Sequence, residues 1–239
     1  SYSSMTELSN ISYLAFLKHS GVSCFLQENP NIFFSESVEQ IKKKVEFKDI
    51  YRIDDLLHFV NTSNACKLRE NSKKTFFFSE IKSSKILIIT GKPNFADEQN
   101  NQLLSGKEGQ LLKKMFDAIN FDLNEINIAS VIPWATPNNR EATSIEILEC
   151  LPFIQKLIEI IKPEILFLLG KTACKAILNT PLDIVKVRGK FYEYKNLNLS
   201  LKIPTLATHH PSFLLANQSH KKQSWEDLKM LEKKMRNEN

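Results

Sequence analysis

Four short runs of apolar residues constrain the fold of this chain more than any other feature. They occupy residues 85–91, 126–132, 164–170 and 203–207, and each ends at or before a glycine, a proline or a polar residue. Runs that are apolar at nearly every position are typical of parallel strands covered on both faces. Because segments with helical periodicity lie between them, the sequence predicts an α/β fold. We expect a three-layer α/β/α sandwich around a four-stranded parallel sheet.

The segment before the first strand has a different character. Residues 9–20, 38–45 and 50–60 have the spacing of amphipathic helices in a polar context. We therefore predict an N-terminal helical extension, residues 1–70, packed on an α/β domain of residues 71–239. A chain of 239 residues, 42% hydrophobic, is long enough to bury the one large core that this division requires.

Composition narrows the choice of partner and compartment. The 32 Lys and Arg residues against 27 Asp and Glu leave a net charge of +5, which allows a polyanionic partner. No apolar run approaches the roughly 20 residues of a membrane helix, and the N-terminus lacks the apolar region of a secretory signal. The four cysteines lie far apart with no Cys-x-x-Cys pair, as expected of reduced thiols. We expect a soluble, cytoplasmic monomer that does not bind a membrane.

The fourth strand leads into two adjacent histidines, His209 and His210, followed by Pro211. The carboxyl ends of parallel strands are the usual ligand site of α/β proteins, and an imidazole there can donate a hydrogen bond near neutral pH. The apolar residues 213–215 either pack beneath this loop or contact a partner. A metal site on His209, His210 and His220 is a minor alternative, because adjacent histidines on a strand point apart and no acidic cluster accompanies them.

The order of the motifs along the chain indicates a family. The strands and loops carry, in sequence, Gly-x-Pro at 91–93, Gly-x-x-Gly-Gln-Leu-Leu at 106–112, Pro-x-Asn-Arg at 137–140, Glu-x-x-x-Cys-x-Pro at 146–152, Leu-Leu-Gly-Lys-x-Ala at 168–173, Arg-Gly at 188–189, His-Pro-Ser-Phe-Leu-Leu at 210–215 and Lys-x-x-x-Trp-x-Asp-Leu at 221–228. This order resembles the uracil-DNA glycosylase superfamily, and specifically its bacterial and archaeal iron–sulfur branch, the fourth family. The likeness covers roughly residues 64–231.

The resemblance implies base excision repair. Members of the family extrude uracil from DNA and hydrolyse its N-glycosidic bond, in keeping with the need to remove a base from the stack before chemistry can reach it. The histidine that stabilises the leaving uracil anion corresponds to His210. Pro211 and Ser212 resemble the loop that enters the minor groove, with Leu214 or Leu215 as the apolar wedge.

The partner implied by the resemblance is single- or double-stranded DNA. The residues that we expect to contact DNA are the wedge loop just named together with Gly106, Gly109, Gln110, Arg140 and Lys221.

Several pocket residues of the family are replaced. Its first motif is Gly-Glu-Ala-Pro-Gly, whose acid helps to place the attacking water, whereas this chain has Gly91, Lys92, Pro93 and Asn94. The aromatic residue that stacks on uracil corresponds to Leu104, and the asparagine that recognises the base edge corresponds to Ser130. Asp97 or Glu98 could supply the missing acid, and Asn94 the missing amide.

The family's iron–sulfur ligands are also incomplete. A four-iron cluster requires four thiolates, and the corresponding positions hold Ser63, Cys66, Trp134 and Cys150. The sequence therefore predicts that the 4Fe–4S cofactor is absent, that Trp134 fills its space by apolar packing, and that Cys66 and Cys150 are buried free thiols.

Two functions stay open from the sequence. One is a DNA glycosylase active on uracil or on another altered base that suits the modified pocket. The other is a catalytically silent descendant that binds DNA or a protein partner through the same surface. In the second case, phosphate contacts would come from Lys92, Arg140, Lys171, Lys221 and Lys222.

Overall fold

The computed structural model describes residues 50–78, 80–180, 182–196 and 201–236. The helical patterns at residues 9–20 and 38–45 lie outside this part of the chain, as does most of the expected extension. The described residues before the sheet form two helices, α1 (Ile53–Thr62) and α2 (Leu68–Asn71). Within the described ranges, no helix is both long and apolar enough to cross a membrane.

The strands of the sheet are β1 (Ile86–Thr90), β2 (Asn127–Ser130), β3 (Ile165–Leu169), β4 (Phe191–Asn196) and β5 (Leu201–Thr208). They lie in the order β2-β1-β3-β5-β4. The pairs β2–β1, β1–β3 and β3–β5 are parallel, and β4 is antiparallel to β5. The predicted sandwich with four parallel strands is confirmed, and β4 adds an antiparallel strand at one edge.

The edge strand follows from an alternating pattern rather than from an apolar run. Tyr192 and Tyr194 pack against the larger core cluster, whereas Phe191 packs against the smaller cluster on the other face. This period of two is typical of a strand. Residues 186–191, which lead into β4, have the character of a turn into such an edge strand.

The remaining helices of the described chain are α3 (Phe95–Asn100), α4 (Gly106–Asp117), α5 (Ser144–Ile161), α6 (Gly170–Leu178), α7 (Ile184–Val187), α8 (Pro211–Ala216) and α9 (Lys221–Arg236). Thr143 is the N-cap of helix α5, and its side chain forms a capping box with Glu146. The polar stretch of residues 92–105 contains α3, which starts from a second capping box between Asn94 and Asp97.

The two faces of the sheet bury different sets of helices. Leu87 and Ile89 of β1 lie in the larger core cluster, with residues of α1, α5 and α6. Ile86 and Ile88 point the other way, into the smaller cluster with residues of α4 and α9. Helix α1 packs on α5, where Phe59 and Phe153 meet edge to face with ring centroids 6.2 Å apart. Two layers of helices therefore enclose the sheet, and the loops lie at its carboxyl edge.

Candidate active site

Three strand ends converge on His210. Its Nε2 lies 3.0 Å from the hydroxyl oxygen of Thr90, the last residue of β1, although β3 separates β1 from β5. Gly170, which follows β3, makes this approach possible. It has a φ of 80°, and a Cβ added there would lie 2.8 Å from the Cβ of His210. The carboxyl edge of the sheet thus holds the imidazole in one place, as expected for a ligand site of this fold.

The hydrogen bonds of His210 define its protonation. The Ser212 backbone N–H donates to Nδ1 at 3.2 Å, so that Nδ1 must carry a lone pair. Burial, helped by the positive charge of Lys92, lowers the pKa of His210 to about 4. The imidazole is therefore neutral near pH 7, with its proton on Nε2. A neutral N–H donor at this edge can serve an oxygen that gains negative charge.

Asp97 is used by the fold. Its Oδ2 accepts the Asn94 backbone N–H at 3.0 Å. Its Oδ1 accepts from the backbone N–H and the hydroxyl of Ser105, at 2.7 and 3.0 Å. The side chain is only 1% exposed. These bonds fix the turns before α3 and α4, which accounts for an acid at this position without any role in catalysis.

The other expected acid, Glu98, is partly exposed on α3 and lines a cavity of about 370 Å³. The remaining residues around this cavity are Asn94, Phe95, Ala135, Thr136, Asn138 and Asn139. Phe95 is 64% exposed. Lys92 reaches the same region, where its Nζ donates to the side chain of Asn139. A larger cavity, about 500 Å³, lies near Asn61 and Arg69 and contains none of the predicted site residues.

One carboxylate at the site was missed by sequence reasoning. Glu108, in the first turn of α4, accepts a hydrogen bond from Asn94 Nδ2 at 2.8 Å through its Oε2. The same oxygen lies 3.9 Å from Nδ1 of His210. Burial raises the pKa of Glu108 above its ordinary value. The sequence feature that could have pointed to Glu108 is its position as an acid between the two glycines of the Gly-x-x-Gly motif.

The other predicted base-pocket residues lie mostly in the protein interior. Gly91 and Pro93 are buried, and Leu104 is 5% exposed within the smaller core cluster. Ser130 is fully buried, and its hydroxyl lies within hydrogen-bond distance of the backbone carbonyls of Phe76 and Ile132. Because this hydroxyl already donates its hydrogen to a backbone carbonyl, it is poorly placed to donate a hydrogen bond to a base.

The loop after His210 separates the two candidate wedges. Leu214 is 1% exposed and packs into the protein, whereas Leu215 is 39% exposed. Phe213, 37% exposed, stacks on the ring of His209 with centroids 4.8 Å apart. His209 Nε2 lies 3.0 Å from Gln223 Oε1. His209 is thus a packing residue in this structure, and Leu215 is the candidate that can reach a partner.

A buried ion pair between Arg188 and Asp227 lies next to the end of β5, the strand that leads into the His210 loop. Arg188 donates two hydrogen bonds to Asp227, from Nε at 3.0 Å and from Nη2 at 2.8 Å. The hydroxyl of Thr208, the last residue of β5, donates to the same carboxylate at 2.7 Å. Sequence reasoning placed Arg188 and Asp227 in motifs but gave neither a role. The structure joins both to the strand that delivers His210.

The residues that we expected to contact DNA differ in their exposure and in their contacts with the rest of the protein. Arg140 pairs with Glu146 through both terminal nitrogens, at 2.8 and 2.5 Å. Gly106 and Gly109 shape the start of α4, where a Cβ on Gly109 would lie 1.7 Å from the Leu104 carbonyl oxygen. The exposed members of this set and of the expected phosphate contacts are Gln110, Arg140, Lys171, Ser212, Leu215, Lys221 and Lys222, and Pro211 is buried.

The positions that the resemblance assigns to cluster ligands do not fit a four-thiolate site. Trp134 is fully buried and meets Phe153 edge to face, with centroids 6.0 Å apart. The hydroxyl of Ser63 accepts a backbone N–H, while Cys66 and Cys150 are buried free thiols. Burial and the neighbouring Cys66 raise the pKa of the Cys150 thiol. Across the described ranges, no three His, Cys, Asp or Glu side chains are grouped to hold a metal ion.

The fold and the site together define a class of protein. The protein is an α/β sandwich in which a neutral imidazole donor, His210, and a partly buried carboxylate, Glu108, lie at the carboxyl ends of the parallel strands. The chain belongs to the uracil DNA glycosylase superfamily, because the family model with that description matches residues 76–229, more than half of its length.

Individual relatives agree with the predicted branch. A type-4 uracil-DNA glycosylase of Archaeoglobus fulgidus is 25% identical over 185 residues, which cover 75% of this chain and 91% of that protein. One of Sulfurisphaera tokodaii is 28% identical over 153 residues, covering 62% and 69% respectively. A DNA polymerase of Bacillus phage SP01 is 28% identical over 165 residues, which cover 69% of this chain but 17% of the polymerase. The predicted resemblance to the fourth family is confirmed.

Proposed function

We propose that this chain hydrolyses the N-glycosidic bond of uracil, or of another altered base, in DNA. The observation that carries the proposal is the neutral His210, held at the sheet edge with its proton on Nε2. When the bond between the sugar C1′ and the base nitrogen breaks, the base leaves as an anion. A donor already aimed at the site of developing charge costs no reorganisation during the reaction.

His210 would perform this step by exchanging partners. In the free protein its Nε2–H donates to the hydroxyl of Thr90, and in the complex it would donate to the carbonyl oxygen of the base. Such a donor is commonly worth about 10²–10³ in rate. Lys92, close enough to lower the pKa of His210, would add a favourable charge beside the anion. Lys92, which stands where the family has an acid, would thus stabilise the leaving base instead of placing the water.

The test is single-turnover cleavage of a labelled single-stranded oligonucleotide with one deoxyuridine, at high protein excess. His210→Ala should lose most of the activity, while His58→Ala, an exposed histidine on α1, should retain it. The products to measure are the free base and the abasic strand. A His210→Ala variant as active as wild type would contradict the mechanism.

A catalytically silent protein is the second candidate, favoured by the buried and satisfied hydroxyl of Ser130. This protein would bind DNA or a protein partner through the same edge. Salt-sensitive retention of the oligonucleotide without cleavage would support it, because phosphate contacts weaken as salt rises.

We also propose that the protein works as a monomer without the family's iron–sulfur cluster. The packing of Trp134 against Phe153 supports the absence of the cluster. Iron and acid-labile sulfide, measured on protein purified without oxygen, should be far below one cluster per chain. About four iron atoms per chain would overturn it, and a dimer in sedimentation analysis would overturn the proposed monomer.

A further inference from the structure

Hydrolysis of a glycosidic bond requires a group that orients water and accepts its proton. Three described carboxylates near His210 are candidates, Asp97, Glu98 and Glu108, because a fourth, Asp227, is already occupied by Arg188 and Thr208. The two oxygens of Asp97 already accept three hydrogen bonds from the fold. Glu98 lies on α3, and its side chain makes no hydrogen bond or ion pair with any described residue. The choice therefore falls on the geometry of Glu108.

Glu108 is held rigidly and close to the reacting edge. It belongs to the first turn of α4, where the tight contact between Gly109 and the Leu104 carbonyl fixes the backbone. Its Oε2 is held by Asn94 Nδ2 at 2.8 Å and lies 3.9 Å from His210 Nδ1. Oε1 makes no hydrogen bond to a described residue. With 21% of the side chain exposed, solvent can reach it.

The surroundings of Glu108 make its carboxylate more basic than that of a surface glutamate. Burial is the main cause of its raised pKa, and the nearby charge of Asp97 acts in the same direction. The Asn94 hydrogen bond and the positive charge of Lys92 oppose it. The remaining titratable neighbour, His210, is neutral near pH 7. A base gains proton affinity, and thus effectiveness, as its pKa moves toward the working pH.

We propose that Glu108 is the catalytic carboxylate that orients the attacking water and accepts its proton. The inference rests on the proposed glycosidic hydrolysis. The water oxygen forms a bond to C1′ while the bond from C1′ to the base nitrogen breaks and its electron pair leaves with the base. One water proton passes to Glu108 Oε1. It then returns to solvent or to the base anion, so that the products are the free base and the sugar of an abasic site.

The experiment compares Glu108→Gln, which keeps the shape and an acceptor for Asn94, with Glu108→Ala. Asp117→Asn is the matched control, because it removes a carboxylate from the far end of the same helix, where Asp117 pairs with Lys113 at the surface. Circular dichroism and thermal unfolding confirm that each variant is folded. Single-turnover cleavage is then measured across pH, beside oligonucleotide binding.

We expect Glu108→Gln to cleave about 10²–10⁴-fold more slowly than wild type, with oligonucleotide binding retained and Asp117→Asn unaffected. The wild-type rate should rise with pH through the ionisation of Glu108, and this acid limb should vanish in Glu108→Gln. Added formate, a small carboxylate that fits the space left in Glu108→Ala, should restore part of the rate.

Each other outcome overturns the inference in a recognisable way. Wild-type cleavage that depends on His210 but survives Glu108→Gln would refute the role of Glu108 and leave the proposed function intact. A slow variant with an unchanged pH profile and no formate rescue would mean a structural role only. A wild-type protein without cleavage would overturn the proposed function together with this inference.

Discussion

The neutral state of His210 makes stability depend on pH in a way that can be measured without any substrate. In the folded protein its pKa is about 4, against an ordinary value of 6.5 in the unfolded chain. Between these two values the unfolded state binds the proton and the folded state does not. The neutral His210 therefore makes its full contribution to the free energy of unfolding when the pH is above the pKa of the unfolded chain. This contribution is lost as the pH falls toward the pKa of the folded protein.

The size of the effect follows from the separation of the two pKa values. Each unit corresponds to about 1.4 kcal/mol, so the whole separation is worth about 3 kcal/mol. Lowering the pH from about 7 to about 5 uses only part of this range and should cost about 2 kcal/mol of unfolding free energy.

The measurement is urea denaturation of the wild type and of His210→Asn at both pH values. Asparagine is a favourable N-cap, so the variant can keep the bond from the Ser212 backbone N–H that starts α8 while losing the titration. Other groups titrate in both proteins and cancel in the difference. The stability of the wild type relative to the variant should fall by about 2 kcal/mol on acidification. An unchanged difference would mean an ordinary histidine, and would refute the argument for a neutral donor.

Further substitutions test the packing around the site. Gly109→Ala should lower the unfolding free energy by about 3 kcal/mol or more in thermal denaturation, because the new Cβ would lie 1.7 Å from the Leu104 carbonyl oxygen. Asp227→Ala should cost about 3–5 kcal/mol in urea denaturation, since it leaves a buried guanidinium without its partner. Leu214→Ala should cost about 2–5 kcal/mol of stability. Leu215→Ala should change stability by less than about 0.5 kcal/mol but weaken oligonucleotide binding measured by fluorescence anisotropy.

Matched variants set the scale for these results. Gly189→Ala should cost only about 1–2 kcal/mol, because its φ of 77° is strained for alanine while the nearest atom is 3.9 Å away. Asp117→Ala, which breaks an exposed pair, should stay within about 1 kcal/mol of wild type. Equal losses for Gly109→Ala and Gly189→Ala, or for the two aspartates, would contradict the packing arguments. So would a Leu214→Ala protein as stable as Leu215→Ala.

The parallel sheet could be predicted because its information is local. Each central strand is apolar at nearly every position, which is typical of a parallel strand buried on both faces. Strand β4 lacks this signal, because Tyr192 and Tyr194 alternate with polar residues and their burial depends on pairing with β5. Helix α3 was hidden in a similar way, since its start depends on a capping box between Asn94 and Asp97 within a polar stretch.

Some functional residues could be predicted from the sequence and others could not, because their roles depend on contacts between distant parts of the chain. The motif order led to His210, but its neutral state depends on burial and on Lys92, which lies far away in the sequence. Asp97 was selected because it is an acid near the replaced motif, and residue type alone cannot show that its oxygens serve the backbone. Glu108 becomes a candidate only when α4 is placed against the loop of His210, a distance that the sequence does not encode locally.

The bond between Thr90 and His210 joins residues that are 120 positions apart, and it bears on when function can arise during synthesis. Contacts of such long range carry a large loop-closure cost and form late. In a chain still on the ribosome, His210 can reach the site only when β5 has inserted beside β3. The contact between Thr90 and His210 can therefore form only after β5 has emerged, late in the synthesis of the domain.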